Sequence, residues 1–387
     1  MSSQKKITLL WRRLNVFELG KDVVLVPYYL GKSLNYQIEI CCDYSEDIAN
    51  QIRKTPKEGL SFIKMKLSHN FILRSFSYAN YLRQHASNIN ILMCFHWRFE
   101  TFINILLYNF FNKGGQIYIK LDTISGEEWN LSQRSLISKL IRKLLYKNCL
   151  QKVNVLSCET SQAYNLLCNN KYFGSQLKEK LVLMPNAFDE GLLKKTKIRE
   201  RDFCEKENLI ITVGRLGISQ KNTEMIIEAL KEIELKDWKF CFIGTVDRSL
   251  EYAINELYKK NPEKREQIYF VGEIKDKEEL WGWYNKSKVF VLTSRWESYG
   301  LALNEAKRFK NYIISTRVGA AEDIIDKEKY GLFIGQEDSA NLANILSQII
   351  NKEINIDVYQ DYKGEQLSYE DTVQVLLRLL PKNNKLN

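Results

Sequence analysis

Short runs of β-branched and apolar residues, spaced by longer stretches of helical periodicity, limit this chain more than any other feature. Seven lie in the first half, at Ile7–Trp11, Gln37–Cys42, Ser61–Met65, Ile89–Cys94, Gln116–Leu121, Val153–Cys158 and Leu181–Met184. Six more lie in the second, at Leu209–Val213, Lys239–Ile243, Ile268–Val271, Val289–Leu292, Tyr312–Ser315 and Leu332–Ile334. Strands alternating with helices imply parallel sheets joined by crossover helices. Two such rounds within 387 residues imply an α/β protein of two doubly wound, Rossmann-like domains. Pro185–Asp189, followed by the charged stretch Lys194–Glu207, marks the expected boundary. The domains are then 1–187 and 188–366, with a C-terminal helix at about 367–387 able to pack back on the first. Ligands of such sheets sit beyond the carboxyl ends of the strands, so residues that follow strands carry the information.

Composition removes several classes. An apolar share of 45% and an aromatic share of 12% supply a large core and exclude a disordered chain. No apolar run approaches the ~20 residues that span a bilayer; Ile103–Phe111 is broken by Asn104 and Asn109. The stretch after Lys5-Lys6 is shorter than a secretory apolar segment of about 7–15 residues, so a cytoplasmic chain is expected. Cys41, Cys94, Cys158 and Cys241 lie in strand-like runs, where a reduced thiol behaves as a small hydrophobe. No C-x-x-C pair occurs and the three histidines have no metal-ligand spacing, so no metal and no cofactor are expected.

Charge is uneven. Residues 1–190 hold 25 Lys and Arg against 15 Asp and Glu, whereas 191–387 hold 32 of each. The whole net charge of +10 belongs to the first half, which attracts polyanions. No nucleic-acid-binding motif accompanies it, leaving an anionic membrane surface or a phosphorylated acceptor as partners, or a charge that serves solubility alone. A helix predicted over Leu131–Leu145 carries Leu136, Leu140, Ile141, Leu144 and Leu145 beside Arg134, Lys139, Arg142 and Lys143. It reads either as a crossover helix on its sheet or as one resting on a bilayer.

Gly31-Lys32-Ser33 imitates the end of a phosphate-binding loop, but Val26 stands where its first glycine belongs. Gly31, after the apolar run around Pro27, reads as a turn glycine. The chain has no G-x-G-x-x-G, which argues against a nicotinamide dehydrogenase. Val213-Gly214-Arg215-Leu216-Gly217, leading to Lys221, is more informative: a strand ends, a glycine lets backbone approach closely, two cations follow and a helix begins near Thr223. Guanidinium, ammonium and helix N-terminus suit a diphosphate. Ser294–Ala306 follows another strand, with Glu297 in its loop and Glu305 on the first turns of the next helix. Carboxylates there accept paired hydrogen bonds from sugar hydroxyls.

Together with Phe242-Ile243-Gly244, Val271–Ile274 and Val318–Ile325, these motifs resemble the family 4 retaining glycosyltransferases over residues 209–335. The first half matches only through landmarks such as Leu183–Asp189. The resemblance implies a GT-B fold, two Rossmann-like domains facing across a cleft, and transfer from a nucleotide diphosphate sugar, UDP or GDP, to an acceptor hydroxyl with the anomeric configuration kept and without a metal. By position, Gly214, Arg215 and Lys221 meet the diphosphate, Glu305 the ribose, and Glu297 with the backbone of Tyr299, Gly300 and Leu301 the donor sugar. Gly272 and Ile274 lie near the base, and Gly20 in the turn after the first strand. Asp122 stands where many members have a histidine. Arg215, Lys221, Glu297 and Asp122 are the candidate catalytic residues. His96, after an earlier strand, reads as a packed or exposed histidine. Ser298 replaces a frequent glycine, and only Gly20 occurs where the family often has paired glycines.

The implied acceptor is a lipid-linked or cell-surface glycan intermediate of capsule, O-antigen or lipopolysaccharide synthesis, handled at the inner face of the membrane. An epimerase of the same architecture needs acid–base side chains that the motifs do not offer. A silent nucleotide-sugar-binding protein has no need of the intact cation and carboxylate set.

Overall fold

A computed structural model describes residues 4–123, 127–132, 135–362 and 367–380. Two compact units are present: residues up to Ala187 with the stretch from Ser368 onward, and Phe188–Leu367.

In the first unit, β1 (Lys6–Arg13), β2 (Gln37–Asp43), β3 (Leu60–Lys64), β4 (Ile91–Phe95), β5 (Gln116–Lys120), β6 (Val155–Cys158) and β7 (Leu181–Leu183) form one sheet. The order is β3-β2-β1-β4-β5-β6-β7, parallel throughout. The step from β1 to β4 reverses the winding, so crossover helices cover both faces. Helices α1 (Asp22–Leu34) and α2 (Glu46–Lys54) serve one face. Helices α3 (Phe71–His85), α4 (Phe99–Phe111) and α5 (Leu136–Lys152) pack the other through Tyr78, Ile105 and Cys149. From Ser368 the chain returns to the α1 face, where the Tyr369 ring stacks on Tyr29 at 5.7 Å. That stretch is a short helix, Tyr369–Thr372, followed by a 3-10 segment, Val373–Arg378. Residues 381–387 of the expected helix lie outside the described residues.

The second unit repeats the plan. Strands β8 (Glu207–Val213), β9 (Lys239–Ile243), β10 (Ile268–Gly272), β11 (Ser287–Leu292), β12 (Tyr312–Ser315) and β13 (Gly331–Phe333) are ordered β10-β9-β8-β11-β12-β13, again all parallel. Apolar clusters around Ile210 and Phe290 fill its two faces.

Every predicted strand is present, with ends displaced by two residues or fewer. Two local readings change. Gly31 is not a turn glycine: it lies inside α1, which runs through Pro27. Val23, Val24, Leu25, Tyr29 and Leu30 are all buried, and that packing outweighs the amide hydrogen bond proline cannot make. A Cβ at position 31 would collide with Ile38, so the glycine lets α1 approach β2. The helix predicted at 131–145 starts at Leu136, because the Ser135 side chain accepts from the Ser138 amide, and continues to Lys152. Its sheet-facing residues are Tyr146, Cys149 and Leu150. Leu136, Leu140 and Leu144 are instead 84%, 60% and 62% exposed. Arg134 lies outside the described residues.

Candidate active site

The second unit gathers its candidate residues at the carboxyl ends of β8, β9, β10 and β11. After β8, the Gly214 amide donates to Ile243 O, and the Gly244 amide donates to Gly272 O, lining up three strand ends. Gly244 takes φ 138°, and a Cβ there would overlap the Gly214 carbonyl. The stem of Lys221 lies over Gly214, in space a side chain would occupy. Lys221 Nζ donates to Glu297 Oε1 at 2.5 Å, and Ser294 Oγ donates to the same oxygen at 2.7 Å. The loop after β8 and the loop after β11 are thereby joined by one buried carboxylate.

Neighbouring contacts fix the two loops. Gln220 Nε2 reaches Trp296 O at 3.1 Å and Glu297 Oε2 at 3.4 Å. Arg295 donates to Ser219 O, Asn222 Oδ1 and Glu337 at 2.5–3.0 Å. Gly319, at φ 54°, passes so close that a Cβ would meet Tyr299 O and Glu297. Arg215, by contrast, is exposed, and its side chain makes a single long hydrogen bond among the described residues, from Nη2 to Gln220 Oε1 at 3.4 Å. It is free to swing onto an anion.

Beyond the Glu297 loop, Gly300 at φ 89° starts the helix Leu301–Arg308. Leu303 and Ala306 face the core, which leaves Glu305 half-buried on the opposite side. Glu305 Oε1 accepts from Lys277 Nζ at 2.7 Å and Trp281 Nε1 at 3.1 Å. The Tyr299 ring is buried and its hydroxyl donates to Asn304, so its side chain is structural and only its backbone is placed to meet a ligand. Ile274 and Leu301 likewise pack part of their side chains on the core. The sequence had pointed to neither Lys277 nor Trp281: they belong to a helix (Lys277–Lys286) more than twenty positions before Glu305, with no motif to link them.

Gly20 and Asp122 belong to the first unit. Gly20 occupies an open turn before α1, with nothing within 4 Å of a would-be Cβ. Asp122 follows β5 with its side chain open to solvent, yet enough protein surrounds it that desolvation, aided by Asp22, raises its pKa. Just beneath it lies a group the sequence hid. Lys120, fully buried, donates to Glu159 and, at 2.8 Å, to Asp22 on the first turn of α1. Burial opposes the ammonium charge, but the two carboxylates overcome it and the pKa of Lys120 is raised. Burial raises that of Glu159. A lysine inside an apolar strand pattern gives no outward signal of such a triad.

His96, after β4, adopts φ 62°, a conformation rare outside glycine. Its amide donates to Lys120 O and its carbonyl accepts from Thr101 Oγ1 at 3.0 Å, which hold the strained turn. Burial, then Arg98, Arg12 and Lys120, push its pKa down to about 4. Among the described residues no group of His, Cys, Asp and Glu is arranged to hold a metal ion.

Two parallel α/β units, the second with a cation–carboxylate cluster at its strand ends, define a GT-B glycosyltransferase scaffold. A glycosyltransferase of Rickettsia africae shares the fold over 99% of this chain and 100% of its own, at TM-score 0.71 and 15% identity. An Anabaena HepE structure in complex with UDP does so over 97% and 99%, at TM-score 0.67 and 12% identity. The family model of the glycosyl transferases group 1 matches residues 194–366, nearly all of the second unit. An uncharacterised glycosyltransferase of Methanocaldococcus jannaschii is 27% identical over 210 residues, 54% of this chain and 56% of its own length. An alpha-1,4-N-acetyl-D-galactosaminyltransferase of Campylobacter jejuni, whose name specifies a PP-undecaprenol-linked substrate, is 29% identical over 180 residues, 45% of each chain. The chain thus spans about half the length of these relatives.

Proposed function

We propose that the chain is a retaining, metal-independent glycosyltransferase that moves a sugar from a UDP or GDP sugar to a hydroxyl of a lipid-linked or cell-surface glycan intermediate. The Lys221–Glu297 bridge, with Arg215 loose beside it, carries the reading. In the reaction the bond from the anomeric carbon to the diphosphate oxygen breaks, a bond to the acceptor oxygen forms on the same face, and the acceptor proton passes to the leaving phosphate. Positive charge grows on the sugar and negative charge on the diphosphate. Lys221 has three N–H donors, so it keeps Glu297 and still reaches phosphate. Arg215 closes bidentately on the other oxygens. Glu297 faces the sugar, and Glu305, oriented by Lys277 and Trp281, takes the ribose hydroxyls. Asp122 is the first unit's own candidate to accept from a substrate hydroxyl.

The test is a thermal-shift screen of nucleotide sugars, followed by transfer assays and the anomeric configuration of the product by NMR. One donor should raise the melting point, and Arg215→Ala and Glu297→Ala should each cut turnover by ~10²–10³. Near-normal turnover in both variants overturns the site assignment; an inverted product overturns retention.

The partner surface in this reading is an anionic bilayer. Helix α5 carries Lys139, Arg142, Lys143, Lys147 and Lys152, no carboxylate, and the exposed stripe Leu136, Ile137, Leu140, Ile141 and Leu144. On the same sheet face, exposed Phe71 of α3 meets exposed Phe99 of α4, ring centroids 6.0 Å apart. On α5, apolar side chains flanked only by cations match acidic headgroups over a hydrocarbon layer. Among the described residues no helix is long and apolar enough to cross a membrane. Pelleting with phosphatidylcholine vesicles, with and without phosphatidylglycerol, checks this: no lipid-dependent binding removes the membrane from the reading.

A further inference from the structure

A pocket in the first unit opens at the carboxyl ends of β1 and β4. Its wall includes Trp11, Arg12, Phe95, His96 and Arg98. Arg12 and Arg98 are both exposed, and neither donates a hydrogen bond to any described residue. Arg98 meets Asp122, Glu100 and Glu128 only as longer-range charges, and the guanidinium of Arg12 acts against its own. Glu100, the carboxylate in the pocket wall, is already bound by Arg74 through Nε at 2.6 Å and Nη2 at 3.1 Å. Two guanidinium groups of like charge thus share one opening, neither held by a direct ion pair among the described residues, beside a histidine in a strained backbone conformation. That histidine stays neutral at physiological pH, able to donate from one ring nitrogen and accept at the other.

We propose that Arg12 and Arg98, with His96 between β4 and α4, form the seat for a phosphoryl group, a phosphomonoester or diphosphate, carried by the acceptor. Two forked cations match a dianion with several oxygens; a lone carboxylate would be satisfied by one of them. Trp11, whose ring lies 6.2 Å from the imidazole, offers a flat wall for a sugar beside that phosphate. The exposed Phe99 directly follows Arg98, so apolar surface adjoins the seat, as a phosphate on a lipid requires. Only the word acceptor rests on the transferase reading; the anion site stands on the first unit's own geometry.

The test titrates inorganic phosphate into the full chain at low ionic strength by calorimetry. Three proteins are compared: the native chain, Arg12→Gln/Arg98→Gln, and Arg215→Gln/Lys221→Gln. The native chain and the second variant should share a binding event that weakens at least about tenfold in the first variant. Removing the two guanidinium groups relieves their mutual repulsion and gives up only the longer-range attraction of Asp122, Glu100 and Glu128 to Arg98, so the unliganded melting temperature of Arg12→Gln/Arg98→Gln should stay level or rise. Vesicles of phosphatidylcholine with and without phosphatidic acid form the other arm. Binding that needs the two arginines and appears with phosphatidic acid alone assigns the phosphate to a lipid, whereas a response to inorganic phosphate assigns it to the phosphoryl group itself. Phosphate and vesicle binding indifferent to both arginines, or a fall in the unliganded melting temperature, overturns the proposal. Arginine-dependent phosphate binding by a chain that turns over no nucleotide sugar would leave this site standing and remove only the transfer reading.

Discussion

The two units treat charge in opposite ways. In the second, the lysines of the site are held by the protein's own carboxylates: Lys221 by Glu297 at 2.5 Å and Lys277 by Glu305 at 2.7 Å. Arg295 binds Glu337 in the same manner. In the first, the buried pairs are at Lys120 and Arg74, and Arg53–Glu46 and Lys32–Glu370 pair on the surface, while Arg12, Arg98 and the cations of α5 face outward beside apolar side chains with no described carboxylate bound to them. Internal pairing fixes a geometry before any ligand arrives, so the second unit is preorganised. Unpaired surface cations fix nothing, and their free energy is released only when an anion binds. The second unit thus reads as the precise half and the first as the adhesive one.

The sharpest way to break that contrast is to make the same change in both units. Lys120→Ala leaves Asp22 and Glu159 facing each other without a cation, and should cost about 3–5 kcal/mol in urea unfolding. Lys221→Ala takes the cation from a buried carboxylate that keeps Ser294 and Gln220 as donors, and should cost about 1.5–3 kcal/mol of stability, while transfer falls ~10²–10³. If Lys221→Ala unfolds the protein as readily as Lys120→Ala, the bridge to Glu297 is a structural tie and the functional assignment of the second unit fails.

A smaller effect sharpens the adhesive side. Leu140→Glu/Leu144→Glu alters only exposed positions of α5, so unfolding should shift by about 0.5 kcal/mol per site or less. Vesicle binding should drop several-fold, because two apolar contacts are lost and two like-signed charges now face the acidic headgroups. A large loss of stability instead would show that the stripe packs against protein.

The same contrast governs what could be read in advance. Strand runs and the motifs at Gly214–Lys221 and Glu297–Glu305 are local, and a few neighbouring residues create each of them, so the architecture and the heart of the second site were legible. The first unit's features are not local. Arg12 lies in β1 and Arg98 in the turn between β4 and α4, at the ends of strands that are neighbours in the sheet but far apart in sequence. Lys120 looks like one polar residue in an apolar strand until Asp22 and Glu159 close on it. Gly31 and Pro27 carry the punctuation of a turn, and only dense burial on all sides of α1 shows why a helix passes through them. The apolar residues of α5 were visible, but whether they faced sheet or solvent depended on where Ser135 started the helix.

The finest probe of the first unit is proton linkage at His96. Its folded pKa of about 4 lies below the ordinary value of 6.5, chiefly through burial and then through Arg98, Arg12 and Lys120. Unfolding therefore takes up a proton between those two values, and the stability from keeping the ring neutral is present above pH 6.5 and is lost as pH falls toward 4. Urea midpoints across that window should decline with a slope approaching one proton beyond the carboxylate background, and His96→Gln should remove that increment. Phosphate at the Arg12–Arg98 opening changes the sign of the neighbouring charge. It favours the imidazolium, raises the pKa and flattens the decline in the native chain, with no such response in Arg12→Gln/Arg98→Gln. A slope unchanged by phosphate would mean that the imidazole senses only the protein around it, and that the first unit's opening is not where an anion settles.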